Sequence, residues 1–332
     1  MPQLRYNLIT RQWVIIATER ASRPDQFRKK TSGEQKLPQY VPSCPFCPGN
    51  EDQTPPEILR LPKKGPWQVR VTPNRYAALT REGELVRSGT GIKRTVTGVG
   101  IHDVIVETPD HSKTTALLDD QQVEKIVEAY RQRYLNVLCD ERVEQVTIFK
   151  NHGDAAGTSL QHPHSQLIAT PVIPTEMRDR MEMALRYYDE TGACIFCHNL
   201  KEEMEEGSRV VLETERFVAF IPFAALSPFH IWIFPKRHEA SFGAITDSDL
   251  SDLARMLRRV LLKLYRGLNN PDFNYTIRTA PTESGWSRYY HWYLSVVARV
   301  TRLAGFEIGS GMFINVALPE ESAKFLRDIA VE

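Results

Sequence analysis

The chain lacks an excess of either charge: 42 Lys and Arg stand against 41 Asp and Glu in 332 residues. A net charge of +1 sets up no broad field of the kind that gathers nucleic acid or an anionic membrane, so an anionic ligand must be held by local groups. No apolar run reaches the roughly 18 residues of a membrane-spanning helix, and the opening Met1-Pro-Gln-Leu-Arg-Tyr-Asn7 has no apolar signal core. These absences predict a soluble cytoplasmic protein that binds neither nucleic acid nor membrane. Cysteine is scarce as well. Four of the five cysteines form two C-x-x-C pairs, Cys44–Cys47 and Cys194–Cys197, which in a cytosolic chain favours metal or redox use over structural disulfides. The fifth, Cys139, follows an apolar helical stretch and is expected to be a buried small hydrophobe. The 42% hydrophobic content is ordinary, and the length suffices for two domains, each with its own core.

One set of metal-ligand residues is written twice. The first copy runs Cys44-Pro-Phe-Cys47, His111, then His162-Pro-His164; the second runs Cys194-Ile-Phe-Cys197, His238, then His291-Trp-Tyr293. The histidine intervals, 111 to 162 and 238 to 291, agree within two residues. The intervening pattern repeats too. Strands are expected at 67–71, 103–107, 146–150 and 166–169, with a helix from Asp119 to Leu138 whose apolar residues fall at helical spacing. In the second half, strands are expected at 217–221, 231–234, 274–278 and 289–297, with a helix from Asp247. The proline-rich stretch 36–66 reads as an irregular, metal-pinned loop, and an acidic helix from about Pro174 to Asp189 joins the halves. The fold class is therefore α+β, with residues 1–173 and 174–332 each forming an antiparallel sheet with a packed helix.

A C-x-x-C turn can bring two thiolates to one zinc ion, and can equally be a redox dithiol. Its double occurrence favours metal, since neither copy sits where a strand clearly feeds a helix. His102, His152, His198 and His230 compete as further ligands, and spacing alone does not remove them. Matching positions in the two copies select Cys44, Cys47, His111 and His162 for one site and Cys194, Cys197, His238 and His291 for the other. Four protein ligands close a tetrahedral zinc, so both sites are expected to be structural.

His164 is left over, and Tyr293 replaces it in the second copy. Alternate strand residues share a face, so His162 and His164 are expected to point the same way, one to metal and one to a ligand. The preceding Gly153-Asp-Ala-Ala-Gly157-Thr-Ser159 offers small residues and backbone donors suited to a phosphate.

The run from Asn151 to Ala169, with His162-Pro-His164-Ser-Gln166, resembles the active-site segment of the galactose-1-phosphate uridylyltransferases, members of the histidine triad superfamily. Arg20-Ala-Ser-Arg23-Pro24, Cys44 to Asn50, Pro109-Asp-His-Ser112 and Gly305-Phe-Glu307 extend the resemblance over nearly the whole chain. It implies two histidine-triad-like halves and a nucleotidyltransferase moving UMP from UDP-glucose to galactose 1-phosphate, with ping-pong kinetics. His164 would be the nucleophile. Gln166 stands where simple hydrolases of this fold carry a third histidine and would stabilise the covalent intermediate, which argues against hydrolysis of dinucleoside polyphosphates. The resemblance also implies that a backbone carbonyl near Pro163 or His164 orients the ring. Asn151, Gly157, Ser159 and Gln166 would lie at the phosphate and Asn74 near the nucleoside. Arg20, Arg23 and Glu307 would bind the hexose phosphate, and the chain would form a homodimer. Arg75 departs from members that carry an acid near the ribose, and the His291-Trp-Tyr293 ending also resembles plant-type ADP-glucose phosphorylase, which transfers AMP to inorganic phosphate. A zinc-stabilised nucleotide-binding module without turnover is the reading from a different class.

Overall fold

The computed structural model describes residues 1–17, 23–29, 37–282 and 285–331. Arg20 lies outside them. In chain order the strands are β1 (Gln3–Asn7), β2 (Gln12–Ile16), β3 (Leu59–Leu61), β4 (Val69–Pro73), β5 (Arg87–Thr90), β6 (Lys93–Val96), β7 (Ile101–Val106), β8 (Gln145–His152), β9 (His164–Thr170), β10 (Val210–Glu213), β11 (Phe217–Phe220), β12 (His230–Pro235), β13 (Phe273–Arg278), β14 (Tyr293–Ala298) and β15 (Phe313–Asn315). The helices are α1 (Asp120–Val137), α2 (Thr175–Thr191), α3 (Ile195–Glu206), α4 (Asp247–Leu268), α5 (Gly305–Ser310) and α6 (Pro319–Asp328). Among the described residues, no helix is long and apolar enough to cross a membrane.

Ten strands form one antiparallel sheet in the order β10-β11-β12-β14-β13-β8-β9-β7-β4-β3. Read outward from the centre, each half contributes five strands in the same topological order, β8-β9-β7-β4-β3 on one side and β13-β14-β12-β11-β10 on the other. The expected pair of sheets is thus fused edge to edge. The seam is the antiparallel pairing of β8 with β13, from Phe273 opposite His152 to Ile277 opposite Ile148.

The equivalent helices α1 and α4 pack side by side on one face of this sheet. Asp119 caps α1 by accepting from the Gln122 amide at 2.7 Å, and Val123, Ile126, Val127, Tyr130, Tyr134 and Val137 form its buried stripe. Thr246 caps α4 through a reciprocal box with Asp249. Period-two alternation then sorts the strand residues. Ile101 and Ile105, Leu167 and Ala169, Ile231 and Ile233, and Leu294 and Val296 join the helix-side core. Val104 and Val106 pack with the Cys44–Cys47 loop on the opposite face, and Trp232, Phe234 and Tyr293 pack with α2 and α3 there.

Cys139 is exposed, contrary to expectation. It lies just beyond Leu138, which ends α1, so its side chain leaves the buried stripe. A second departure concerns Cys194, which is the residue immediately before α3 and so opens a helix. The element before it is α2, so this is still not a strand-to-helix turn. Gly192, with φ of 72°, reverses the chain between the two helices.

Candidate active site and metal centres

Cys44, Cys47, His111 and His162 converge with all four donor atoms within 4.8 Å of one another, and all four residues are buried. The Cys47 thiol lies 3.5 Å from His111 Nδ1 and 3.6 Å from His162 Nδ1, and Cys44 lies 3.8 Å from His162 Nδ1. A tetrahedral zinc with ordinary bond lengths separates sulfur and nitrogen ligands by roughly 3.6 Å, so the group has the size the ion needs. The far nitrogen of His162 meets the Thr108 carbonyl at 2.7 Å, which fixes the ring with Nδ1 toward the cluster. Burial holds the His162 pKa down to about 4, which keeps the ring in its ligating, neutral form.

The second group gathers Cys194, Cys197 and His238. His291, expected as its fourth ligand, touches Cys197 at 3.3 Å but does not come within 4.8 Å of all three donors. Its ring lies edge-on to Phe234, 5.4 Å between centroids, inside the aromatic cluster. His238 repeats the arrangement of the first site, with Nδ1 3.1 Å from the Cys197 sulfur and Nε2 at the Ser287 carbonyl.

His164 is the first residue of β9, and His162 lies just before that strand. Both rings still face one side, since both pack against Phe46 at 5.3 and 6.1 Å. His164 Nδ1 donates to the carbonyl of His162 at 2.9 Å. The carbonyl expected near Pro163 or His164 is that of His162, the residue just before Pro163. With Nδ1 protonated, Nε2 carries the lone pair. Burial lowers the pKa of His164, outweighing the His162 carbonyl, so the ring is neutral and nucleophilic at neutral pH.

His164 opens onto a cavity of about 530 Å³ whose wall includes Phe46, Asn74, Ser159 and Gln166. Four separated sequence segments meet here, because β9 carries His164 and Gln166 on the face opposite the helices and β4 ends at Pro73 beside Asn74. Asn151 and Gly157 lie nearby in the chain but do not line the cavity. The Asn151 carboxamide oxygen accepts from Asn274 Nδ2 at 2.8 Å, which ties the end of β8 to the second half. Gly153, with φ of 84°, lets the following turn close over Asp272, which accepts from the Ala155 amide at 2.7 Å.

Arg23 and Glu307 are not brought to this cavity. Arg23 is exposed and precedes a short turn whose Phe27 packs edge-on to Phe229 of the second half. Glu307 caps its own helix by accepting from the Ala304 amide.

Two features of the site were not read from the sequence. His102, considered only as a rival metal ligand, sits behind the cavity wall with Nε2 2.8 Å from Oε1 of the wall residue Gln166. Beneath β9, Lys150 is fully buried, ion-paired to Glu107 at 2.7 Å and donating to the His164 carbonyl at 3.2 Å. Thr115 and Tyr130 also donate to Glu107. Burial alone would raise the Glu107 pKa, but Lys150, Thr115 and Ser165 hold it below the usual carboxylate value. A lysine ending an otherwise apolar strand and a glutamate ending another were the available signals.

Family models described as the N-terminal and C-terminal domains of galactose-1-phosphate uridyl transferase match residues 1–174 and 180–330. The chain belongs to the galactose-1-phosphate uridylyltransferase family. Within reach of this family, the chain is 38% identical to an ADP-glucose phosphorylase of Arabidopsis thaliana, over 99% of this chain and 93% of that protein. It is 31% identical to a galactose-1-phosphate uridylyltransferase of Thermotoga maritima over the full length of both. A crystal structure of the Arabidopsis ADP-glucose phosphorylase with bound ADP-glucose superimposes with a TM-score of 0.83 at 33% identity, covering both chains completely. A uridylyltransferase structure gives 0.75 at 26% identity, covering 98% of this chain and 97% of that one.

Proposed function

We propose that the chain is a nucleotidyltransferase that moves UMP from UDP-glucose to galactose 1-phosphate through a nucleotidyl-His164 intermediate. The observation that carries this reading is the His164 ring, held by the His162 carbonyl with Nε2 free in a cavity walled by Asn74, Ser159 and Gln166. Nε2 attacks the α-phosphorus; a phosphorus–nitrogen bond forms as the bond to the sugar 1-phosphate oxygen breaks. A phosphate oxygen of the second sugar phosphate then attacks the same phosphorus and His164 leaves. Gln166 and Ser159 serve the α-phosphate from the cavity wall in this reading and Asn74 the nucleoside, with Asn151 and Gly157 acting from behind the wall through the turn that leads to Ser159. Arg20 serves the hexose phosphate in this reading; Arg23 and Glu307, expected with it, stand away from the cavity of their own chain. Both Cys/His groups hold zinc, which supplies rigidity to the two halves, divided at residues 173 and 174, and takes no part in bond breaking. The enzyme works as a cytoplasmic homodimer.

A second reading, AMP transfer from ADP-glucose to inorganic phosphate, is favoured by the higher identity to the Arabidopsis phosphorylase, 38% against 31% for the Thermotoga uridylyltransferase. Incubation with UDP-glucose or ADP-glucose labelled at the α-phosphorus separates them. The first reading expects acid-labile, base-stable label on protein from UDP-glucose, and none on a His164→Asn variant. Label from ADP-glucose alone selects the second reading, and equal labelling of His164→Asn removes the nucleophile from both.

A further inference from the structure

The spare imidazole behind the cavity wall, His102, which touches the wall residues Gln166 and Asn74, has its proton placed by the fold. On β7 it is paired with Ile168 of β9, and it is buried on the cavity face. The Ala78 backbone amide donates to Nδ1 at 3.1 Å. Nδ1 is therefore the acceptor, the ring is neutral, and the proton sits on Nε2. That proton has one fitting acceptor, Gln166 Oε1 at 2.8 Å. The carboxamide oxygen of Gln166 is thereby turned toward β7, and its NH₂ is left for the cavity. Asn74 is set the same way: its Oδ1 accepts from the Tyr76 amide at 2.8 Å. Its Nδ2 lies 3.0 Å from His102 Nε2 but finds no lone pair there, so its N–H groups stay available. An α-phosphate offers only acceptors, and the Gln166 carboxamide with its oxygen tied back presents only donors to it.

The second half shows what the same position does without this arrangement. His230 occupies the equivalent place on β12, paired with Val297, and Ser295 stands where Gln166 would be. There the Trp232 indole donates to His230 Nε2 at 3.1 Å, so that nitrogen carries no proton. Tyr293 stacks on Phe234 at 4.8 Å in place of a nucleophile. The Nε2 proton is thus particular to the half that carries His164.

We propose that His102 is a positioning residue: it fixes the Gln166 carboxamide with NH₂ toward the α-phosphate and so acts on nucleotidyl transfer through Gln166. This rests on the proposed reaction, and two measurements keep the failures apart. The first needs no substrate. In protein labelled with ¹⁵N-histidine, His102 is expected as the neutral Nε2–H tautomer, with its Nε2 resonance moved by Gln166→Leu. An Nδ1–H tautomer, or an Nε2 resonance indifferent to Gln166, overturns the inference whatever the activity. The second uses whichever of UDP-glucose and ADP-glucose labels the wild type. His102→Leu is expected to slow formation of the labelled protein by about tenfold or more with a smaller change in KM. His102→Gln, which returns an N–H near the Nε2 position, should recover to within about threefold of wild type. In a Gln166→Ala background, His102→Leu should cost less than about twofold more. Costs that multiply across the two sites, at unchanged metal content and melting temperature, overturn the route through Gln166. If neither nucleotide labels the wild type, the proposed reaction fails and the tautomer measurement alone decides the inference.

Discussion

Single residues beneath β9 carry more of the site than their distance from the cavity suggests. Lys150 and Glu107 are both fully buried and neutralise each other, with Tyr130 and Tyr275 hydroxyls 2.6 Å apart beside them. Replacing Lys150 by Met leaves the Glu107 carboxylate unpaired in a dry interior, and breaking such a pair costs about 3–5 kcal/mol. Chemical denaturation of Lys150→Met should show a loss of that order, and Lys150→Met with Glu107→Gln should recover part of it. A loss below about 1 kcal/mol in the single variant would mean that water reaches the pair. His230 gives the residue-scale response to pH. Burial, with Arg278 and Arg180 nearby, lowers its pKa to about 3, against about 6.5 in an unfolded chain. Between those values the unfolded chain binds a proton that the folded one refuses. The contribution is therefore complete above pH 6.5 and is lost as pH falls toward 3. Unfolding free energy measured from pH 7 to pH 4 should fall less steeply in His230→Leu than in the wild type, even if that variant is weaker at pH 7; parallel slopes would refute the assignment.

At the scale of elements, the turn between β8 and β9 shows how one backbone position controls the site. Gly153 has φ of 84°, and a Cβ built there would stand 2.2 Å from the Asp272 carboxylate. Asp272 is itself held by Lys29 at 2.7 Å and by the Ala155 amide, so it cannot simply swing away. Gly153→Ala should destabilise by roughly 1–3 kcal/mol and lower nucleotidyl transfer, through displacement of the turn that leads to Ser159. Unchanged melting and labelling rates would show that the turn tolerates the shift. The elements that position the site were legible because their periodicities were strong: α1 and α4 follow a helical stripe, and β7, β8, β9, β12 and β13 are rich in β-branched or aromatic residues. The strand β9 was read two residues short at its start, because His164 and Ser165 have no strand signature and join the ladder through pairing with Val106 and Ile105, and one residue short at its end, Thr170. The small sheet of β1, β2 and β15 was not legible, since β2 pairs in parallel with a segment from the far end of the chain. The roles of His102 and Lys150 escaped for a related reason. Each depends on partners from other strands, and a sequence shows a histidine or a lysine without showing which atom faces it.

For the whole molecule, the seam between β8 and β13 makes the two halves one body. It places the His164 cavity on one side of the sheet and runs the Tyr130 to Tyr275 contact through the other. The two Cys/His groups sit one on each half, where each ties the segment bearing its C-x-x-C pair to the sheet. Stripping metal should therefore act on stability before chemistry. In the first group, two thiols and two imidazoles, all buried, would lose their common partner, and Phe46, between the cluster and the His164 ring, would lose its support. Structural zinc contributes on the order of 10 kcal/mol in small domains, and sharing the load with an extensive core makes the loss here smaller. Treatment with a strong chelator should lower the melting temperature and abolish labelling of His164 together, and added zinc should restore both. The asymmetry between the groups sets the finer expectation. The first is complete within 4.8 Å, while His291 stands off from the second, so zinc should leave the second group at the lower chelator concentration. Two zinc ions per chain, released in two steps with activity following the slower one, is the expected result. Release of both in a single step, or loss of activity with the first ion to leave, would show that the half without a nucleophile holds the active one in shape across the seam.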